Sequence, residues 1–175
     1  STPTSLEPVY LANVLLFIED FDTVCDFPLV SRNYQRAMGI VRTNPKATWD
    51  EDIETTLRLF PNINTLHIQK SSMLDSTGNI PKTATAVVVD EWNDEKMTEH
   101  ARKFARLVTA INNTMDNNIL DLSLFPVLQR ITIHQQNPRA PHCPNHRLKR
   151  VRVVAKGNRK PDIFGDWYER LDVGV

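Results

Sequence analysis

The sequence is short of the residues from which nucleotide and nucleophile loops are built. Only 5 glycines occur among 175 residues, and none of them cluster. There is no GxGxxG, no GxxxxGK[ST] and no GxSxG, so no dinucleotide fingerprint, P-loop or nucleophile elbow can be named. No residue stands out as a catalyst, and a non-enzymatic role without a cofactor is expected. Cysteine is equally scarce. Cys25 and Cys143 are the 2 in the chain, far apart and no disulfide framework, which favours a reducing compartment. No apolar run approaches the ~20 residues of a membrane span. The longest, Leu11–Ile18, has Glu7 before it and Glu19 after it, not the basic flank of a signal peptide. A cytoplasmic or nuclear protein is therefore expected. Nor does one sign of charge dominate, with Lys+Arg 21 and Asp+Glu 21.

What the chain has is an ordinary apolar content, 41%, and an uneven distribution of charge. Glu7, Glu19, Asp20, Asp22 and Asp26 make the start acidic. Arg147, Lys149, Arg150, Arg152, Lys156, Arg159 and Lys160 make the end basic, with no acid among them. Such bipolarity steers partners locally even at zero net charge.

Residues 6–41 read as helical. Leu11, Val14, Leu15 and Ile18 follow i, i+3, i+4, i+7 spacing, and Pro8 suits a first helical turn. A second apolar series, Phe21, Val24, Phe27, Val30, Tyr34, Ala37, Met38 and Val41, is interrupted by Pro28. It predicts two short helices broken at that proline. Asn44-Pro45 reads as a turn or linker closing this region. Thr48 and Glu51 then stand at the spacing of a capping box, ahead of a helix with Ile53 and Leu57 inward.

The strongest pattern is a repeated one. Leu57-Arg-Leu-Phe-Pro-Asn-Ile-Asn-Thr-Leu-His-Ile68 and Leu122-Ser-Leu-Phe-Pro-Val-Leu-Gln-Arg-Ile-Thr-Ile133 both fit L-x-L-F-P-x-[IL]-x-x-[IL]-x-I. Its tail recurs as Ala84-x-x-Val87-x-Val89 and Leu148-x-x-Val151-x-Val153. Each tail predicts a short strand with alternate residues inward. The strand centres, near 67, 88, 132 and 152, are spaced by one, two and one units of ~20–22 residues, within the leucine-rich-repeat range. The double interval is filled by a predicted helix, because Met97, Ala101, Phe104, Val108, Ile111 and Met115 alternate spacings of four and three, with Asn93 as a cap. No such unit buries its apolar side alone, so the units must stack as a parallel α/β array. Phe60 and Phe125 are expected to plug the core where the proline ends each helix.

Two stretches together bring a family into view. Leu6-Glu7-Pro8-Val9-Tyr10-Leu11-Ala12-Asn13-Val14-Leu15-Leu16-Phe17-Ile18, then Phe21-Asp22-Thr23-Val24, then Leu29-Val30-Ser31-Arg32-Asn33-Tyr34 resemble an F-box, with Tyr34 where the family has tryptophan. The Leu-Phe-Pro-Asn-Ile-x-Thr-Leu-His-Ile run resembles the F-box-like, leucine-rich proteins expanded in some parasitic protists. The resemblance implies an N-terminal F-box-like helical module over 1–45 and a short, irregular leucine-rich-repeat array with a parallel sheet over 46–175. It also implies a protein-binding substrate receptor of a cullin ubiquitin ligase. A Skp1-like adaptor would dock on Leu6, Pro8, Leu11, Val14, Leu15, Ile18, Leu29, Val30 and Tyr34.

Strand alternation supplies a second candidate surface. With Leu66/Ile68, Val87/Val89, Ile131/Ile133 and Val151/Val153 inward, the opposite face presents Thr65, His67, Val88, Asp90, Arg130, Thr132, His134, Arg150 and Arg152 to a protein partner. Other readings weigh less. His134, His142, Cys143 and His146 superficially fit zinc, but adjacent His142 and Cys143 diverge in extended chain, so no metal site is expected. The basic stretch 147–160 reads as the solvent side of a strand more readily than as a nucleic-acid or phosphate patch, since Arg150 and Arg152 alternate with Val151 and Val153. Trp167 and Tyr168 are expected to close the end of the array. The rival readings are a scaffold or regulatory interaction domain without a ligase role, and a nucleic-acid or phosphate binder acting through the basic C-terminal strand.

Overall fold

The computed structural model describes residues 6–76, 78, 80, 83–93, 98–114, 122–135 and 148–155. The expected tail helpers Trp167 and Tyr168, and His142, Cys143 and His146, lie outside them. The chain divides into two compact units, Ser1–Ile68 with Ser76–Thr85, and Gln69–Asp75 with Ala86–Val175. The first therefore reaches past residue 45.

The first unit opens with three helices, α1 (Pro8–Leu16), α2 (Phe21–Val30) and α3 (Arg32–Ile40). Pro8 sits in the first turn of α1, and the buried side of that helix is Leu11, Ala12 and Leu15. Asp20 caps α2 by accepting from the Thr23 N–H at 2.8 Å. Pro28 does not break the second series, as its spacing suggested. It lies within α2, two residues from the end, where no helical residue remains to be misaligned beyond one turn, and the break falls at extended Ser31. Val24, Phe27, Ala37 and Met38 close the helical core, and the rings of Phe27 and Tyr34 lie 4.5 Å apart.

The capping box of Thr48 and Glu51 is replaced by two local devices. Thr48 ends a 3-10 turn, Lys46–Thr48, and its buried hydroxyl donates to the Pro45 carbonyl. The cap of the next helix, α4 (Ile53–Leu59), is Asp52, which accepts from the Thr55 N–H at 2.7 Å. Ile53 is buried as expected, but Thr56, not Leu57, is the second buried residue of this helix. Strand β1 (Thr65–Lys70) begins in this unit, with Leu66 and Ile68 inward. Backbone bonds from Asn64 and Thr65 to the Arg42 carbonyl, and from the Asn62 side chain to the Gly39 carbonyl, sew this segment to the end of α3. Those bonds explain why the unit runs on into β1, as far as Ile68.

The second unit is built on a parallel sheet of four strands, β2 (Ala86–Trp92), β3 (Val108–Thr114), β4 (Arg130–Gln135) and β5 (Arg150–Ala155), in that order. Helix α5 (Glu99–Ala105) precedes β3. The long helix expected through Met97–Met115 is thus cut short, and its second half is a strand. Val108, Thr109, Ile111 and Thr114 are β-branched and favour a pleated surface over a helix. The double interval in the repeat therefore holds the missing strand. Val88 pairs with Ala110, Ala110 with Arg130 and Arg130 with Arg150, offsets of 22, 20 and 20 residues. The core row is Val89, Ile111 and Ile131, all buried. Trp92 meets Phe125 edge-on at 4.7 Å.

The repeated Leu-Phe-Pro motif has a simple local cause. The carbonyls of Phe60 and Phe125 accept from the N–H groups of Ile63 and Leu128, three residues on. The proline fills the second position of each turn, which its fixed φ suits. Both phenylalanines and both residues that close the turn, Ile63 and Leu128, are buried.

Candidate functional site

Two surfaces follow from the sequence, one on the helices and one on the strands. In the helical unit, α1 is apolar on both sides. Leu11 and Leu15 point into the core, while Tyr10, Val14 and Phe17, at i, i+4 and i+7, form a second stripe in solvent. Leu6 and Val9 extend it, and Leu29 and Val30 stand exposed at the end of α2. Phe17 keeps 82% of its surface in water and Leu29 78%. The Asn33 side chain donates to the Leu6 carbonyl at 3.2 Å, which ties the start of α1 to the turn after Val30. An apolar cluster on this scale, on one small helical unit, is the kind of surface that marks an interaction site.

Of the nine residues expected to dock an adaptor, Leu6, Val14, Leu29 and Val30 are exposed, and Pro8, Ile18 and Tyr34 are half-buried. Leu11 and Leu15 are withdrawn from the set. They are buried and hold α1 on the helical core. Val9, Tyr10 and Phe17 belong to the surface and were missed. The i, i+4, i+7 spacing from Tyr10 to Phe17 carried that signal, but the inward stripe claimed the helix first.

The rim of this surface is acidic. No Lys or Arg occurs before Arg32, whereas Glu7, Glu19, Asp20, Asp22 and Asp26 all do. Glu19 is taken up by Lys46 at 3.1 Å, an exposed pair of small energetic value. The bonds from the Thr23 hydroxyl and N–H hold the Asp20 carboxyl below its ordinary value. Cys25 sits on the same helix. Burial, then the nearby Asp22, Asp26 and Glu51 carboxylates, push its thiol up, opposite to what an activated nucleophile needs.

On the strand face, Thr65 and His67 belong to the first unit and are half-buried; His67 stacks on Trp49 with ring centres 4.9 Å apart. In the second unit, Asp90 accepts from the Asn112 side chain at 2.6 Å across β2 and β3. Arg130, Arg150 and Arg152 are exposed, and Thr132, half-buried, pairs in register with Arg152. The backbone of His134 lies in β4 as expected, and its side chain is outside the described residues. Val88 is corrected: it is buried, as are Val87 and Val89. Three consecutive valines are the mark of a parallel strand covered on both faces, not of alternation.

Among the described residues, no group of three or more His, Cys, Asp or Glu could hold a metal ion, and no helix is long and apolar enough to cross a membrane. No protein-family model, no curated protein and no solved structure matches the chain.

Proposed function

We propose that this chain is a protein-binding module, without catalytic chemistry of its own, whose helical unit docks a partner through the outer face of α1 and the end of α2. The observation that carries the reading is the exposed cluster of Leu6, Val9, Tyr10, Val14, Phe17, Leu29 and Val30. Burying one large apolar side chain contributes about 1.5–3 kcal/mol, so a few of these in one interface are enough for a specific complex. The raised Cys25 thiol adds no candidate nucleophile.

In its finer form the module is an F-box-like substrate receptor of a cullin ubiquitin ligase. A Skp1-like adaptor occupies the α1 face, and leucine-rich-repeat-like parallel strands carry the target. The F-box-like sequence of residues 6–34 and the exposed positions Leu6, Val14, Leu29 and Val30 support it. The test is co-precipitation of the full chain with a purified Skp1-like adaptor, with Val14→Glu and Phe17→Glu as surface variants. Binding lost in both variants is the expected result. No binding by the unaltered chain sinks the adaptor role, and binding untouched by either substitution sinks the surface.

A further inference from the structure

The outer surface of the helical unit is apolar in its middle and acidic at its border. On α1, Tyr10, Val14 and Phe17 form the solvent ridge. On α2, Asp22, Asp26 and Leu29 stand at the same i, i+4, i+7 spacing and are all exposed, while Val24 and Phe27 turn inward. The outward ridge of α2 is therefore acid, acid, apolar. The chain path sets the two ridges side by side. The Leu6 carbonyl accepts from the Asn33 side chain, so the start of α1 lies beside the turn that ends α2. Residues 17–20 alone join the end of α1 to the start of α2. The two helices thus run in opposite directions. Leu6, Val9, Leu29 and Val30 lie at one end, and Phe17, Asp20 and Asp22 at the other.

Acids bracket the ridge of α1. Glu7 immediately precedes the helix, and Asp20 and Asp22 follow Phe17. Among the described residues, Glu7, Asp22 and Asp26 make no ion pair, although Arg32 and Arg36 are exposed on α3. The border disfavours a second copy as the occupant. Laid antiparallel on α1, a second copy would set its Phe17 against Tyr10, but its Asp20 against Glu7. Laid parallel, it would set Glu7 against Glu7. Either arrangement brings like charges together at the interface, which costs affinity.

We infer that the occupant is a helix of a partner protein, with an apolar stripe of about two turns and Lys or Arg at both of its ends; this rests on the α1 face being the docking surface. The ridge from Tyr10 to Phe17 is about 10 Å long at ~1.5 Å per residue, the length of two turns of a second helix. A ridge of i, i+4 side chains fits the groove between the ridges of another helix. Basic side chains at the ends of that helix reach Glu7 on one side and Asp20 and Asp22 on the other. Their aliphatic stems cover apolar surface on the way. Opposite charge at the rim speeds encounter and rejects acidic partners more than it adds affinity.

The experiment is fluorescence anisotropy at low salt on the full chain, with three labelled Ala-rich peptides of about 18 residues, long enough to be helical in water. The first has a leucine stripe and Lys at both ends. The second has the same stripe and Glu at both ends. The third has the Lys ends, with glutamine in place of leucine. The first should bind tightest. Its affinity should fall about threefold in Asp22→Asn and in Asp26→Asn, with a further loss in the pair. It should weaken as salt is raised, and should fall more than about tenfold in Phe17→Ala. All three positions are exposed, and circular dichroism checks that the fold is kept. Equal affinity for the Lys-ended and Glu-ended peptides overturns the inference; if Phe17→Ala weakens both, the α1 face still stands as a docking surface without this charge preference. Equally tight binding of the third peptide overturns it too, by leaving charge alone as the cause. Affinity untouched by Phe17→Ala sinks the α1 face along with it. No binding of the Lys-ended peptide overturns the inference, and adaptor co-precipitation then decides the α1 face separately. A dimer in solution that Phe17→Ala abolishes also overturns it, by making a second copy the occupant.

Discussion

The carboxamide of Asn44 holds both backbone polar groups of His67. Its Oδ1 accepts from the His67 N–H at 2.7 Å, and its Nδ2 donates to the His67 carbonyl at 2.9 Å. The side chain thereby does for β1 what a neighbouring strand would do, just beyond the parallel bridge from Thr43 to Thr65. The second Nδ2 hydrogen goes to the Thr48 hydroxyl at 3.0 Å, so the donors of this buried amide are all used. The second unit repeats the device in smaller form. The Ser71 hydroxyl accepts from the Asn93 N–H at 3.0 Å and donates to the Asn93 carbonyl. The sequence separations, 23 and 22 residues, match the strand repeat, so one polar side chain bridges one repeat to the next.

Removing the Asn44 amide takes away both of its hydrogen bonds to the half-buried His67 backbone. Each such loss costs about 1–3 kcal/mol. Asn44→Ala should therefore lower the urea midpoint markedly, with m unchanged. Asn44→Asp keeps the acceptor but loses both donors and buries a charge, and should be worse than alanine at neutral pH. Equal stability of Asn44→Ala and the unaltered chain would remove the clamp from the account.

The Asp90–Asn112 pair gives a second test. Its 2.6 Å bond gives a half-buried carboxylate a donor, next to a strand whose other neighbour carries Arg130. Asn112→Asp places two carboxylates across the same strands and should cost about 1 kcal/mol. Because the repulsion is electrostatic, part of the loss should return as salt is raised from low concentration toward 1 M. Thermal melts of both proteins across that series measure it; a loss independent of salt would point to packing instead.

Helix caps make acid stability predictable in sign. The carboxyls of Asp20 and Asp52 are held below their ordinary value of 3.8, in each case first by the side-chain hydroxyl and then by the N–H of the residue three on, Thr23 or Thr55. A depressed folded-state value means that the unfolded chain binds the proton more readily. The capping contribution is complete above 3.8 and is lost as pH falls below it through the depressed value. Asp52→Asn keeps a capping oxygen and should flatten this part of the acid limb, while Asp52→Ala should lose about 1 kcal/mol at neutral pH. Urea titrations at stepped pH separate the two.

How much of this was legible depended on residue spacing. Four strands were found because Leu, Ile and Val mark their inward positions at a constant spacing. The fifth, β3, sets Val108 opposite Val87 but Ile111 opposite Val89, because the register shifts between Val87 and Val88, and Ala110 falls in the row of Val88 and Arg130. Its core residues are therefore three apart and not two, which hides the strand alternation, and the stripe from Met97 to Met115 imitated a helix. The true cap, Asp52, lost to Thr48 because both precede a helix, and only the extended backbone at Asp52 decides between them. On the candidate surface the cause is different in kind. The F-box-like motif contains Leu11 and Leu15, whereas helical geometry turns both inward and places Tyr10, Val14 and Phe17 on the side facing water.

The Leu-Phe-Pro motif can be tested by the unequal fate of its two copies. Phe60 and Phe125 are both fully buried at the head of a proline turn, so truncation to alanine should cost about 3–5 kcal/mol in either case. Phe125 has an additional partner, since its ring meets Trp92 at 83° in the edge-on geometry that aromatic pairs prefer. That contact adds about 0.5–1.5 kcal/mol beyond area burial. Phe125→Leu, which keeps most of the volume but not the ring, should therefore lose more stability than Phe60→Leu. Pro61→Ala and Pro126→Ala leave the turns intact and loosen only the unfolded chain, and each should cost less than about 1 kcal/mol. Denaturant midpoints for the six variants rank them. If the proline changes outweighed the phenylalanine ones, the motif would act through its turn and not through the core residue it delivers.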